Sequence, residues 1–135
     1  MRLLISIFAL IAWPALATAG AIPVRMPIGS FAVTPAKLVT RVEMTRVEFL
    51  PGQEMPAHMH PVPVICFVTR GSFVVSIGSS PVRRVHVGET TLEPAKTVVH
   101  YFRNASVTDP AQLNCALLTG SGDKVLSIML KGRDK

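Results

Sequence analysis

Short apolar runs separated by turn residues dominate the chain beyond its N-terminal segment. Each run is about four to eight residues long and is bounded by proline, glycine or serine, which is typical of β-strands. The runs are VICFVTRG, SFVVSIG, VRRVHVG, ETTLEP, TVVHYFRN and QLNCALL. Helical periodicity sustained over three turns is missing from this part of the sequence. Regularly spaced short strands predict an all-β fold, either a sandwich or a small barrel.

The first of the predicted strands changes its alternation part of the way along. In KLVTRVEMTRVEFL, the side chains of Leu38, Val42 and Met44 share one face of an extended chain. Val47 and Phe49 share the opposite face. This change of parity predicts a β-bulge or two consecutive strands.

The N-terminal residues have the pattern of an export signal. Arg2 provides a positive start, Leu3–Ala12 an apolar run, and Ala17–Ala19 a small-residue cleavage site. The apolar run is shorter than the roughly 20 residues that span a bilayer. We therefore expect residues 1–19 to be a cleaved signal peptide and residues 20–135 to form a single domain. The expected location is the periplasm or the cell exterior, without a stable membrane anchor.

The charged residues argue against one class of partner. The net charge is +6, but the basic residues are scattered, and only Arg83 and Arg84 are adjacent. The chain has a single tyrosine and no interleaving of basic and aromatic residues, so we expect no nucleic-acid binding. A preference for small anionic molecules is compatible with this charge.

Two histidines, His58 and His60, stand one residue apart in a segment with little charge. Residues two apart in a strand point to the same side, so both imidazoles can reach one metal ion. The pair also falls within a longer pattern of spaced glycines, prolines and histidines. The residues of this pattern are Gly52, His58, His60 and Gly71, followed by Gly88, Pro94, His100 and Asn104.

These two segments, about 52–71 and 88–104, resemble the two sequence motifs of the cupin superfamily. The resemblance implies a cupin-type antiparallel β-barrel or jelly roll that holds a divalent metal ion. It further implies that His58, His60 and His100 are the metal ligands. A glutamate of the first motif, which is also a ligand in the family, is replaced here by Val64. The second motif has Lys96 where glycine is usual, and one extra residue precedes its histidine.

Loss of the motif carboxylate leaves two alternatives open. Three neutral imidazoles would leave the charge of the ion uncompensated, and such a site favours an anionic ligand or a bound hydroxide. Iron, manganese, zinc, nickel and copper all accept imidazole ligands, so the residue types do not select the metal. Alternatively, the site holds no metal. Glu54 and Glu93 lie near the motifs, but we expect both to be exposed, and we expect His86 to be a surface residue.

The resemblance also implies which residues line the pocket. The parity of the strands places Val64, Cys66, Phe102 and Cys115 on the inward side. For the two cysteines, three states remain open: a pair of buried thiols, a disulfide formed after export, and a Cys66 thiolate that binds the metal.

Two functional hypotheses follow from the resemblance. In the first, the protein is a metal-dependent cupin enzyme of oxygenase or isomerase type that acts on a small molecule. In the second, it is a non-catalytic cupin that binds a small ligand without metal, because Val64 has replaced the glutamate. Homodimers are common among similar proteins and are compatible with either hypothesis. The sequence identifies no catalytic acid or base.

Overall fold

The computed structural model describes residues 23–130, and the predicted signal peptide, residues 1–19, lies outside them. Ten β-strands and no helix occur within this range, which confirms the all-β prediction. No described helix could therefore cross a membrane. The strands are β1 (Arg41–Phe49), β2 (Glu54–Met55), β3 (His58–Met59), β4 (Val64–Arg70), β5 (Ser72–Ile77), β6 (Arg83–His86), β7 (Thr90–Glu93), β8 (Val98–Asn104), β9 (Ala111–Thr119) and β10 (Ile128–Met129).

The strands form two antiparallel sheets that enclose one apolar core. The four-stranded sheet has the order β1-β9-β4-β7. The six-stranded sheet has the order β10-β3-β8-β5-β6, with β2 also paired to β8. Three aromatic rings, those of Phe49, Phe73 and Phe102, contact one another with centroids 5.1 to 6.1 Å apart. Both sheets contribute to this contact, so the aromatic cluster joins them.

Strand β1 is one continuous strand, so the predicted bulge or break is wrong. It pairs with β9 without a register shift, from Arg41 opposite Thr119 to Phe49 opposite Ala111. Val42 and Met44 are exposed on its outer face, by 47% and 67%. The inner face of β1 carries polar residues in its first half because that half borders a cavity rather than the packed core.

The two cysteines form a disulfide, which resolves the three alternatives left open by the sequence. Cys66 on β4 and Cys115 on β9 are directly opposite each other, with Cα atoms 4.0 Å apart. Both side chains point into the space between the sheets and are almost fully buried. The disulfide joins the two central strands of the four-stranded sheet beneath the cavity described below.

Candidate metal centre

His58, His60 and Glu93 converge at one point between the sheets. Their donor atoms all lie within 4.8 Å of one another, close enough to share one metal ion. His60 Nε2 is 3.1 Å from Glu93 Oε2, and His58 Nε2 is 3.8 Å from the same oxygen. The three side chains are only 5 to 13% exposed. Among the described residues, this is the one group of at least three histidine, cysteine or acidic side chains whose donor atoms are close enough to hold a metal ion.

Backbone carbonyls fix the orientation of both imidazoles. His58 Nδ1 lies 2.8 Å from the Pro56 carbonyl oxygen, and His60 Nδ1 lies 2.5 Å from that of Leu126. A carbonyl oxygen only accepts hydrogen bonds, so each Nδ1 carries the proton and donates it. In the neutral rings, both Nε2 atoms therefore present lone pairs towards Glu93. This arrangement, with one ring nitrogen anchored and the other free to coordinate, is usual for histidines that bind metals.

Glu93 brings a carboxylate to the side of the sheet on which Val64 stands in place of the motif glutamate. The ladder between β4 and β7 places Glu93 directly opposite Val64. Directly opposite residues project to the same side of a sheet, with Cβ atoms about 5 Å apart. The prediction that Glu93 is exposed is therefore wrong, since the residue is only 4% exposed. Glu54 and His86 are exposed, as predicted.

The Glu93 carboxylate lacks conventional hydrogen-bond donors. Oε2 makes no hydrogen bond of acceptable geometry with any described residue, although His60 Nε2 is near. Oε1 lies 3.9 Å from Cys66 Sγ, which has no proton to donate because it belongs to the disulfide. Leaving a buried carboxylate uncompensated is costly, by several kcal/mol. A cation at the convergence point would compensate it, so the donor set fits a metal ion.

In the absence of a metal, a proton can serve as that cation. Burial acts to lower the pKa of His60, but the Glu93 carboxylate and the Leu126 carbonyl outweigh burial and raise it above the usual 6.5. Burial likewise acts to raise the pKa of Glu93, and the two histidines outweigh it and lower the pKa below 4.5. Both shifts favour an imidazolium beside a carboxylate, which marks the cluster as a site for positive charge.

The structure does not bring His100 to this cluster. A register shift occurs where β8 pairs with β5: Tyr101 is opposite Ser76, but Val99 is opposite Ile77, which leaves His100 without a ladder partner. Val99 and Phe102 consequently both face inward, and the intervening His100 is exposed. The expectation of His100 as third ligand is thus corrected. The extra residue before His100 in the sequence is accommodated by this bulge.

Two other residues of the second motif have local structural roles. Lys96, in place of the usual glycine, has a positive φ of 59°, and its N–H donates to the His60 carbonyl. The buried Asn104 side chain donates to the carbonyls of Leu50 and Asp109. These contacts hold the segment after His60 and the loop after β8.

A cavity of about 370 Å³ opens beside the three donors. Val64, Cys66, Phe102 and Cys115, the residues expected at the pocket, all line it. The remaining lining residues, apart from His58, His60 and Glu93, are Glu43, Thr45, Val47, Phe49, Met55, Leu113, Leu117, Leu126 and Ser127. The lining is therefore mostly apolar.

Glu93 is the candidate metal donor that the sequence did not predict. The sequence TTLEP contains an indication that Glu93 shares a face with Thr91, because these two polar residues alternate with the apolar Leu92. Both polar side chains are buried, whereas Leu92 faces the outer side and is only partly buried. Alternation alone does not say which face is inward. The decisive fact is the register between β7 and β4, which depends on contacts distant in sequence.

Comparisons with known proteins agree with this architecture. Two oxalate oxidase structures are 30% and 27% identical to this chain, with TM-scores of 0.53 and 0.57, and one of them contains the substrate analogue glycolate. The matches cover 58% and 66% of this chain but only 42% and 46% of those proteins, so the chain spans less than half their length.

A double-stranded β-helix protein from Klebsiella pneumoniae, described as uncharacterized, is 19% identical, with a TM-score of 0.56. That match covers 70% of this chain and 79% of that protein, and it supports the fold alone. No curated protein matches significantly. The family model for the cupin domain matches residues 45–117, more than half of the chain. The chain therefore belongs to the cupin family, and its two sheets are those of the cupin jelly roll.

Proposed function

We propose that this protein is an exported, divalent-metal-dependent cupin that binds a small carboxylate-bearing molecule at an ion held by His58, His60 and Glu93. The observation that carries the proposal is the convergence of two anchored imidazoles on a buried carboxylate oxygen that accepts no hydrogen bond of acceptable geometry from the described residues. A divalent ion would satisfy all three groups at once.

The charge of the donor set supports an anionic ligand. Two neutral imidazoles and one carboxylate compensate half of a divalent charge, which leaves a net positive centre. Two histidines with one carboxylate form the donor set of non-haem Fe(II) oxygenases and of some zinc hydrolases, both of which keep positions open for substrate. A bound ion would supply Lewis acidity and, for iron, redox chemistry. The oxalate oxidases to which this chain is similar act on such a small carboxylate.

The residues of the chain have separate roles in this proposal. Glu93 neutralises part of the metal charge and the two backbone carbonyls hold the imidazoles in place. The apolar side chains around the donors limit the access of water, which strengthens the attraction between the ion and an anionic ligand. The disulfide supports export, because such bonds persist mainly in oxidising compartments.

A second candidate is a metal-free binding protein. The specific observation in its favour is the 3.1 Å approach of His60 Nε2 to Glu93 Oε2, which an imidazolium can make without any ion. In that case the pair would be a structural ion pair, and the cavity would bind its ligand through apolar contacts alone.

Elemental analysis of the protein purified from its native compartment separates the two candidates. We expect about one divalent ion per chain, removed by dialysis against chelator and restored by adding the metal. Titration of acetate into the cobalt-loaded protein should then change the visible spectrum of the ion. Metal-free protein, with acetate binding unaffected by chelator, would contradict the proposal.

A further inference from the structure

The floor of the cavity is a single row of side chains that crosses the four-stranded sheet. Glu43 on β1 is opposite Leu117 on β9, which is opposite Val64 on β4, which is opposite Glu93 on β7. All four residues line the cavity. We call them the floor row. Neighbouring strands are about 4.8 Å apart, so the Cα atoms at its two ends are separated by roughly 14 Å.

The two ends of the floor row differ in exposure. Glu93 is buried beside the two histidines, whereas the side chain of Glu43 is 39% exposed. Thr45, which also lines the cavity from β1, is exposed as well. One open end of the cavity is therefore near β1, and a ligand anchored at the metal donors would extend along Val64 and Leu117 towards Glu43.

The wall of the cavity, as formed by the described residues, offers no positive side chain for a second anionic end of a ligand. Of the described residues, no lysine or arginine lines it. At its open end, Arg41 Nη2 lies 2.8 Å from Glu43 Oε1, so the Arg41 cation there is already paired with a carboxylate. A ligand with a carboxylate at each end would place its distal charge over apolar side chains or against an arginine that Glu43 already neutralises, which is unfavourable.

The cavity is large compared with a two-carbon acid. Its volume of about 370 Å³ lies within the range of roughly 300–1,000 Å³ that is usual for small-molecule pockets. A two-carbon acid would fill only a fraction of it and would leave most of the apolar wall without contact. A longer apolar body would bury that wall.

From the floor row and the cavity volume, and resting on the proposed function, we infer that the ligand is a monocarboxylate with an extended apolar body. Its carboxylate would bind the ion held by His58, His60 and Glu93, and its apolar body would cover Val64 and Leu117. The same surface should bind short acids and dicarboxylates more weakly than such a ligand.

Calorimetric titration of four probes into the metal-loaded full chain tests this inference. The probes are octanoate, acetate, suberate and 1-octanol, which vary the chain length, the distal charge and the head group separately. Each buried methylene contributes about a fourfold gain in affinity at most. We expect octanoate to bind at least tenfold more tightly than each of the other three.

A charge reversal at the open end supplies a second readout. The substitution Glu43→Lys should reduce the preference for octanoate over suberate at least fivefold, because it places a cation near the distal carboxylate. Glu48→Lys is the matched control: it makes the same change on the same strand, but on the exposed outer face. This control should leave the preference unchanged.

The outcomes distinguish this inference from the proposed function. If the metal binds but acetate or suberate equals octanoate, the inference is overturned and the proposed function stands. If octanoate binds equally well after chelation, or if the chain binds no metal, both are overturned. A fivefold change caused by Glu48→Lys as well would overturn the role given to Glu43.

Discussion

At the scale of single residues, the centre depends on where two protons are held. Each Nδ1 donates its proton to a backbone carbonyl, so the Nε2 atoms and Glu93 Oε2 compete for one cation. A proton on His60 and a metal ion are alternatives at this point. Metal binding therefore displaces that proton, and metal affinity should rise with pH through the raised pKa of His60.

The metal-free protein should show a stability window set by this pair. The folded-state pKa of His60 is raised. Its contribution to the free energy of unfolding is therefore complete below the unfolded-state pKa of 6.5 and is lost as pH rises through the raised value. The folded-state pKa of Glu93 is lowered. Its contribution to the free energy of unfolding is therefore complete above the unfolded-state pKa of 4.5 and is lost as pH falls through the lowered value. The added stability should therefore peak between these limits.

Urea unfolding in chelator at several pH values measures this window. Relative to Glu93→Gln, the wild-type protein should gain stability most strongly between about pH 4.5 and 6.5, the usual pKa values of the two groups. Glu89→Gln is a control carboxylate on the exposed surface. A difference between wild type and Glu93→Gln that does not vary with pH would exclude the ion pair.

At the scale of secondary-structure elements, the register between β4 and β7 places a carboxylate on β7 directly opposite the β4 position at which the cupin motif has its glutamate. Val64 and Glu93 are directly opposite and face the same side of the sheet. The two positions should therefore be partly interchangeable as sources of the metal ligand. The double substitution Val64→Glu/Glu93→Val tests this by exchanging them.

The exchange should restore metal binding that the single substitution removes. Glu93→Val alone should weaken metal affinity at least about a hundredfold, and adding Val64→Glu should recover at least tenfold of that loss, since a carboxylate again faces the histidines. Fluorescence titration with a competing metal indicator measures both, and circular dichroism checks the fold. No recovery in a folded double variant would show that the strand position itself, and not the cross-strand relation, is required.

The same elements show what the sequence could and could not predict. The period-2 alternation and the turn residues predicted the all-β fold, and the motif resemblance predicted the cupin family, because both signals are local in sequence. The positions of Glu93 and His100 were predicted incorrectly because they depend on non-local facts. These facts are the pairing of β7 with β4 and a bulge in β8 opposite β5.

At the scale of the whole molecule, the disulfide is the covalent link between the central strands under the cavity. It joins residues 49 apart in sequence, and a closed loop of that length restricts the unfolded chain strongly. The double substitution Cys66→Ala/Cys115→Ala should lower the free energy of unfolding by about 2–4 kcal/mol.

Urea denaturation measures this effect, and wild-type protein unfolded in reducing agent provides the control. The reduced wild type should lose a similar amount of stability. If both preparations are as stable as the oxidised protein, the disulfide does not contribute to the stability of the fold.

Zinc titration by calorimetry tests most directly whether Glu93, and not His100, is the third donor beside His58 and His60. Four chains are compared: wild type, Glu93→Gln, His100→Ala and, as the exposed-carboxylate control, Glu54→Gln. Loss of an outer partner already costs about 10- to 100-fold in affinity, so loss of a ligand should cost at least about a hundredfold. We predict that only Glu93→Gln shows this loss. A hundredfold loss in His100→Ala, with Glu93→Gln unchanged, would contradict the account.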